Sequence, residues 1–167
     1  MRNIFFYGTA LVAGIATFSS ATAAPSAEIL EFGYYQIESE GQRFEDQNVT
    51  SGVSQAGTTV KLVQQTDIIP MTAGQLFGFR FRLKDFVGKE DVEIREVVTH
   101  PRMTRPGKKP STGFESKLAL VLRRGELSDY TGYSLNHDYE MVEGEWRFEF
   151  WYENKKLFEQ KFKVVKN

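Results

Sequence analysis

Cysteine is absent from this 167-residue chain. Its absence excludes disulfides, thiol chemistry, cysteine-ligated metal and lipid attachment through an N-terminal cysteine. A domain of this size can dispense with disulfides even in an oxidising compartment, because its core suffices. Histidine is scarce: only His100 and His137 occur, 37 positions apart. That pair, with Asp138 beside the second, matches no metal-ligand spacing, so neither a metal nor a cofactor is expected. An excess of either charge is lacking too. The 21 Lys and Arg and 22 Asp and Glu give a net charge of −1. No general affinity for nucleic acid or anionic membrane follows from such a balance. There is no amphipathic helix of useful length and no internal repeat. There is no Gly-x-Ser-x-Gly elbow, and no glycine loop that follows a strand and opens a helix around phosphate. Ser51-Gly52 and Ser128-Asp129 do not match a nucleophile elbow. The 22 carboxylates make chance pairs common, so a glycosidase-like pair has no clear signature.

Long apolar runs are missing but for one, at residues 4–18. Arg2 precedes it and the small-x-small triplet Ala21-Thr22-Ala23 follows it. Together they read as a secretory signal peptide cut after Ala23. The run is shorter than the ~20 residues a membrane span needs. Cleavage would leave 144 residues with a net charge of −2, which suits a single domain at 24–167. The expected destination is the periplasm or the exterior.

What the chain does have is alternation. Trp146, Phe148, Phe150 and Tyr152 recur every second residue, with Glu145, Arg147, Glu149 and Trp151 between them. That period puts four rings on one face of a strand. Asn154-Lys155 turns the chain and residues 157–164 return, so 142–164 reads as a β-hairpin. A hairpin alone is barely stable in water, so a second sheet must cover its aromatic face. Residues 75–84 are the clearest strand: Phe77, Phe79, Phe81 and Leu83 point one way, Gly78, Arg80, Arg82 and Lys84 the other. Gly78 on the polar face implies a bulge or a close backbone approach.

Further strands are expected at 28–38, 58–65, 91–99, 114–124 and 131–136. Glu96 interrupts the inner row of its strand and is expected at a bulge or a sheet edge. Residues 39–57 read as a long polar loop holding a small hairpin, and such loops tend to be mobile or functional. Within it, Asn48-Val49-Thr50 matches the glycosylation sequon, which matters only in a glycosylating host. Residues 100–113, with three of the five prolines, read as a second loop. Seven or eight short strands with turn signals between them argue for an antiparallel β-sandwich.

Charge placement marks the candidate site. The 100–113 loop holds Arg102, Arg105, Lys108 and Lys109 and no acid. Residues 137–145 hold Asp138, Glu140, Glu143 and Glu145 and no Lys or Arg. If the strands alternate up and down, the connections at 67–74, 100–113 and 137–144 share one end, where sandwich domains usually bind. The functional reading is a stiff basic loop that receives an acidic partner. The alternative is mutual neutralisation of the two loops, each exposed pair being worth about 0–1 kcal/mol. Trp151, on the outward row, is a second candidate, able to stack on a sugar or anchor a protein contact unless the 39–57 loop or a neighbouring strand covers it.

Several landmarks together resemble a bacterial secreted family known only as a domain of unknown function, number three-eight-five-nine. They are Thr66-Asp67-Ile68-Ile69-Pro70, Gly74 with Phe77-Gly78, and His100-Pro101 followed by Met103-Thr104 and Pro106-Gly107. Then come Gly132-Tyr133, the run from Tyr139 through Glu140-Met141-Val142-Glu143-Gly144-Glu145 to Trp146, and Leu157 with Phe162 and Val164. The closing segment also resembles the last strands of immunoglobulin-like domains, where Gly-x-Trp opens the penultimate strand. The resemblance implies an immunoglobulin-like sandwich and no reaction. The reading is therefore an exported, non-catalytic binding module without catalytic residues. Its partner would be an envelope or extracellular protein or a glycan, met from the loops of one pole or a strand edge. The competing readings are a small extracytoplasmic hydrolase using carboxylates or His100 and His137, and an inhibitor of an extracytoplasmic enzyme.

Overall fold

Residues 23–166 are described by the computed structural model. The expected leader lies outside them but for Ala23. In chain order the strands are β1 (Ser26–Ser39), β2 (Gln42–Glu45), β3 (Val53–Ala56), β4 (Thr59–Gln64), β5 (Ile68–Pro70) and β6 (Gln75–Lys84). They continue with β7 (Asp91–Met103), β8 (Ser111–Val121), β9 (Leu127–Leu135), β10 (Gly144–Tyr152) and β11 (Lys155–Val165). A single 3-10 turn, Asp138–Glu140, is the only helical element among the described residues. One sheet runs β4-β1-β6-β9 and the other β5-β11-β10-β7-β8. All pairings are antiparallel except that of β11 with β5. The two sheets face each other as an all-β, immunoglobulin-like sandwich. Every strand expected from alternation is present, the small hairpin expected within 39–57 is β2–β3, and the short β5 is added to them.

Alternation decides the core. Phe77, Phe79, Phe81 and Leu83 of β6 and Trp146, Phe148 and Phe150 of β10 are all at most 1% exposed. Their rings meet edge to face across the gap: Phe77 lies 5.3 Å from Trp146, Phe79 5.8 Å from Phe148, and Phe81 4.9 Å from Phe150. Such contacts each contribute about 0.5–1.5 kcal/mol beyond the area they bury.

The two outer faces differ. On the β6 sheet, Gly33, Gly78 and Gly132 stand side by side in three adjacent strands with unbroken register at Gly78. A Cβ on Gly78 or Gly132 would meet backbone of the neighbouring strand and the Tyr130 hydroxyl. Gly78 thus marks a close approach, not a bulge. The outer face of the β10 sheet is a ladder of paired charges. Arg95, Lys117, Arg147, Lys156 and Lys161 each have a carboxylate within 4.0 Å.

Two expectations are corrected. The 100–113 segment is not all loop: β7 continues through His100 and Pro101 to Met103, and β8 begins at Ser111. The β7–β8 register shifts between Thr99 and Met103, and Pro101 sits inside that irregularity, where its missing N–H breaks no regular ladder. Glu96 lies neither at a bulge nor at an edge. Register is continuous through Arg95, Glu96 and Val97, on a strand flanked by β8 and β10.

Glu96 points into the sandwich and joins its two layers. It is 6% exposed and accepts from the Thr131 hydroxyl of β9 at 2.8 Å and the Ser116 hydroxyl of β8 at 3.0 Å. Burial raises its carboxyl above the ordinary range, and the Thr131 and Ser116 bonds pull the other way. A raised folded pKa means the native state holds a proton that the unfolded chain has already lost. The contribution to stability is full below the unfolded value and lost as pH rises through the folded one. Glu96→Gln keeps the shape and cannot ionise. It should therefore gain stability over the wild type towards pH ~8 and lose that advantage towards pH ~4. Urea denaturation across this range checks it; a pH-independent difference would contradict a penalised carboxylate.

Candidate functional site

Four connections meet at one end of the sandwich. Gln75 of β6 pairs with Leu135 of β9, and Gly144 of β10 with Val164 of β11. Trp146 ties this level together, lying 4.6 Å from Tyr133 and 5.0 Å from His100. The connections around 71–74, 104–110 and 136–143 thus share one pole, and the β2–β3 hairpin folds over its rim.

Local chemistry shapes the basic loop. Arg105-Pro106-Gly107-Lys108 is a tight turn, closed by the Lys108 N–H donating to the Arg105 carbonyl at 3.0 Å. Proline presets the second position and Gly107, at φ +73°, supplies the left-handed third. Such a turn brings its first and fourth residues side by side, so Arg105 and Lys108 are neighbours by construction. Lys109 follows, then Pro110 leads into β8.

The facing wall is the turn of the β2–β3 hairpin. Asp46 organises it, taking the Asn48 N–H at 2.9 Å and the Ser54 hydroxyl at 3.0 Å. Polar contacts fasten this turn to the sandwich. The Thr50 hydroxyl meets His100 Nε2 at 2.8 Å and Ser111 Oγ at 3.3 Å. Lys108 Nζ donates to Gln47 Oε1 at 3.3 Å. The Arg105 guanidinium lies against the α-carbon of Gly52, filling the space a side chain would need. Between the walls is a cleft of about 260 Å³, lined by Asn48, Thr50, Arg105, Lys108, Lys109 and Ser111 among others.

His100 is structural in this setting. It is 3% exposed, between Trp146 and Phe114. Its Nδ1 faces the Pro101 carbonyl at 2.7 Å, which can only accept, so Nδ1 carries the proton. Nε2 therefore accepts from Thr50. Burial lowers the ring's pKa, against the weaker pull of Pro101 and Glu140. His137 is exposed and stacks on Tyr139 at 5.3 Å. Among the described residues no group of three His, Asp or Glu could hold a metal ion.

The acidic connection does not neutralise the basic one. Among the described residues, Arg102, Arg105, Lys108 and Lys109 have no carboxylate within 4.0 Å. Glu143 pairs with Lys166, and Glu145 with Arg147 and Lys161. Glu140 is fully buried, accepting from the Tyr133 hydroxyl at 2.7 Å and from the backbone N–H groups of Asn136 and His137 at 2.8 and 2.9 Å. Burial, and then the Glu140 charge, push the Tyr133 phenol far above its ordinary range, so it remains a donor.

The five residues expected to bind are not one site. Arg105, Lys108 and Lys109 converge on the cleft, whereas Arg102 is exposed on β7 outside its lining. Trp151 lies on the outer face of the β10 sheet, not under the 39–57 segment. Its cross-strand neighbours hold it: Arg95 at 5.0 Å and Lys156 at 5.7 Å over the ring, with Nε1 donating to Glu149 at 2.9 Å. The residues that sequence reasoning passed over are the neutral lining, Gln47, Asn48, Thr50 and Ser111. Only the sequon drew attention to any of them, and for another reason. The free strand edges are also modest in appeal: β8, with 11 residues, exposes Glu115 and Lys117 along its length, charges that discourage strand addition.

No curated protein matches the chain. Among solved structures it is similar to an immunoglobulin-like protein (PA1606) from Pseudomonas aeruginosa, at 24% sequence identity and a TM-score of 0.59. The match covers 87% of this chain and 100% of that one, and it shows the shared sandwich. A family model matches residues 23–164, from just before β1 into the last residues of β11, and the chain accordingly belongs to the family described as domain of unknown function DUF3859.

Proposed function

We propose that this protein is an exported, non-catalytic binding module that recognises an acidic protein or glycan from its basic pole. One observation carries the reading: Arg105, Lys108 and Lys109 face one cleft with no acid within 4.0 Å among the described residues. By contrast Arg95, Lys117, Arg147, Lys156 and Lys161 on the β10 sheet are each paired with a carboxylate. Uncompensated charge at a loop pole steers and orients an oppositely charged partner. The spent nitrogens of His100 favour binding over hydrolysis, since a general base needs a free acceptor near substrate. The sequence of the first 23 residues supports export to the periplasm or beyond.

The test is a fourfold reversal of Arg102, Arg105, Lys108 and Lys109 to Glu. Partners captured from an envelope extract by the wild type at low salt should be lost by the variant. The same partners should leave the wild type when salt rises from about 0.01 to about 1 M, which shortens screening from about 30 to about 3 Å. Equal capture by both proteins would end the proposal.

A further inference from the structure

We infer that the cleft between the Arg105–Lys108 turn and the β2–β3 hairpin is a binding site for a phosphate group, an assignment that rests on the reading of this pole as anion-seeking.

Charge comes first. Three cations and no acid line the cleft, and Asp46 of the hairpin turn is occupied by Asn48 and Ser54. A carboxylate would bring one negative charge. A phosphate monoester brings about −1.5 to −2 at neutral pH, with three strong acceptor oxygens. It matches the cluster better.

Donor geometry agrees. Arg105 offers a planar fork suited to two oxygens, and Lys108 and Lys109 add point charges. The fork is held in advance: the guanidinium rests on Gly52, and Lys108 is tethered by Gln47. Less side-chain freedom is then lost on binding. The Asn48 amide adds a neutral donor to the lining; the Thr50 and Ser111 hydroxyls already give their protons to His100 and to the Gly113 carbonyl. No aromatic ring lines the cleft, so an uncharged sugar would find no face to stack on.

Size points the same way. The cleft measures about 260 Å³. A bare phosphate leaves part of that space empty, and a small ester group fits beside it. The phosphate can therefore arrive free or attached to a sugar.

Titration calorimetry with inorganic phosphate, glucose 6-phosphate, glucose and acetate decides the matter. Phosphate and glucose 6-phosphate should bind saturably; glucose and acetate should not. Tighter binding of the ester identifies a tethered phosphate, and equal binding a free one. Arg105→Gln should weaken binding about tenfold or more. Because Arg105 also packs on the hairpin, Lys108→Gln with Lys109→Gln, on an exposed turn, provides the second variant, expected to bind at least about tenfold more weakly at an unchanged melting temperature. The inference is overturned if neither phosphate binds saturably, if acetate binds as well, or if both variants keep full affinity. In each of those cases a partner lost to the fourfold reversal would still uphold the wider reading of the pole.

Discussion

Trp146→Ala is expected to destabilise the domain by about 3–5 kcal/mol, the range for deleting a large buried aromatic. The indole is 0% exposed and stands where four elements meet. Phe77 of β6, Tyr133 of β9 and His100 of β7 lie within 5.3 Å of it by ring centroid, and Phe162 of β11 pairs with it in register. The vacated volume is ringed by side chains fixed on four different strands, so it cannot close by the shift of one. Domains of this size hold about 5–15 kcal/mol in all, so the loss is a large share. It should lower the melting temperature by roughly 6–20 °C. A variant melting within a degree or two of wild type would refute the placement of Trp146.

Glu140→Ala is the second large effect, at about 2–4 kcal/mol. The carboxylate is enclosed and accepts three hydrogen bonds, one from Tyr133 and two from the backbone N–H groups that open the Asp138–Glu140 turn. Truncation strands the Tyr133 hydroxyl in the interior and uncaps the turn. Leaving a buried donor unpaired costs more than removing both partners. Tyr133→Phe in the Glu140→Ala background should therefore restore part of the loss. A double-mutant cycle by urea denaturation measures that coupling, and strict additivity would show that the two groups do not act together.

Much of the architecture could be read from residue order. Period-two alternation named the inward rows of β6 and β10, because a strand buried on one face leaves no other pattern. The convergence of the connections followed from counting strands up and down. What escaped depended on contacts between distant segments. His100 to Met103 were read as loop because Pro101 is a local stop signal; only the partner strand shows that the chain stays extended past it. Glu140 looked like one more charge in an acidic run, since nothing local reveals Tyr133 waiting seven residues upstream. Trp151 looked available because the order of strands that sets Arg95 on one side and Lys156 on the other is a matter of register. The cleft was half visible: its cations stood out, while Gln47, Asn48 and Thr50 arrive from 50 or more positions away and carry no signature of their own.

Both tryptophans of the chain, Trp146 and Trp151, sit on β10. Intrinsic fluorescence therefore reports a single strand of the molecule. The β2–β3 hairpin contains neither and reaches Trp146 through the Thr50–His100 contact, so its detachment would move the emission far less than unfolding of the sandwich does. An optically clean two-state melt of this protein would describe the sandwich and leave out the wall of the cleft where binding is proposed.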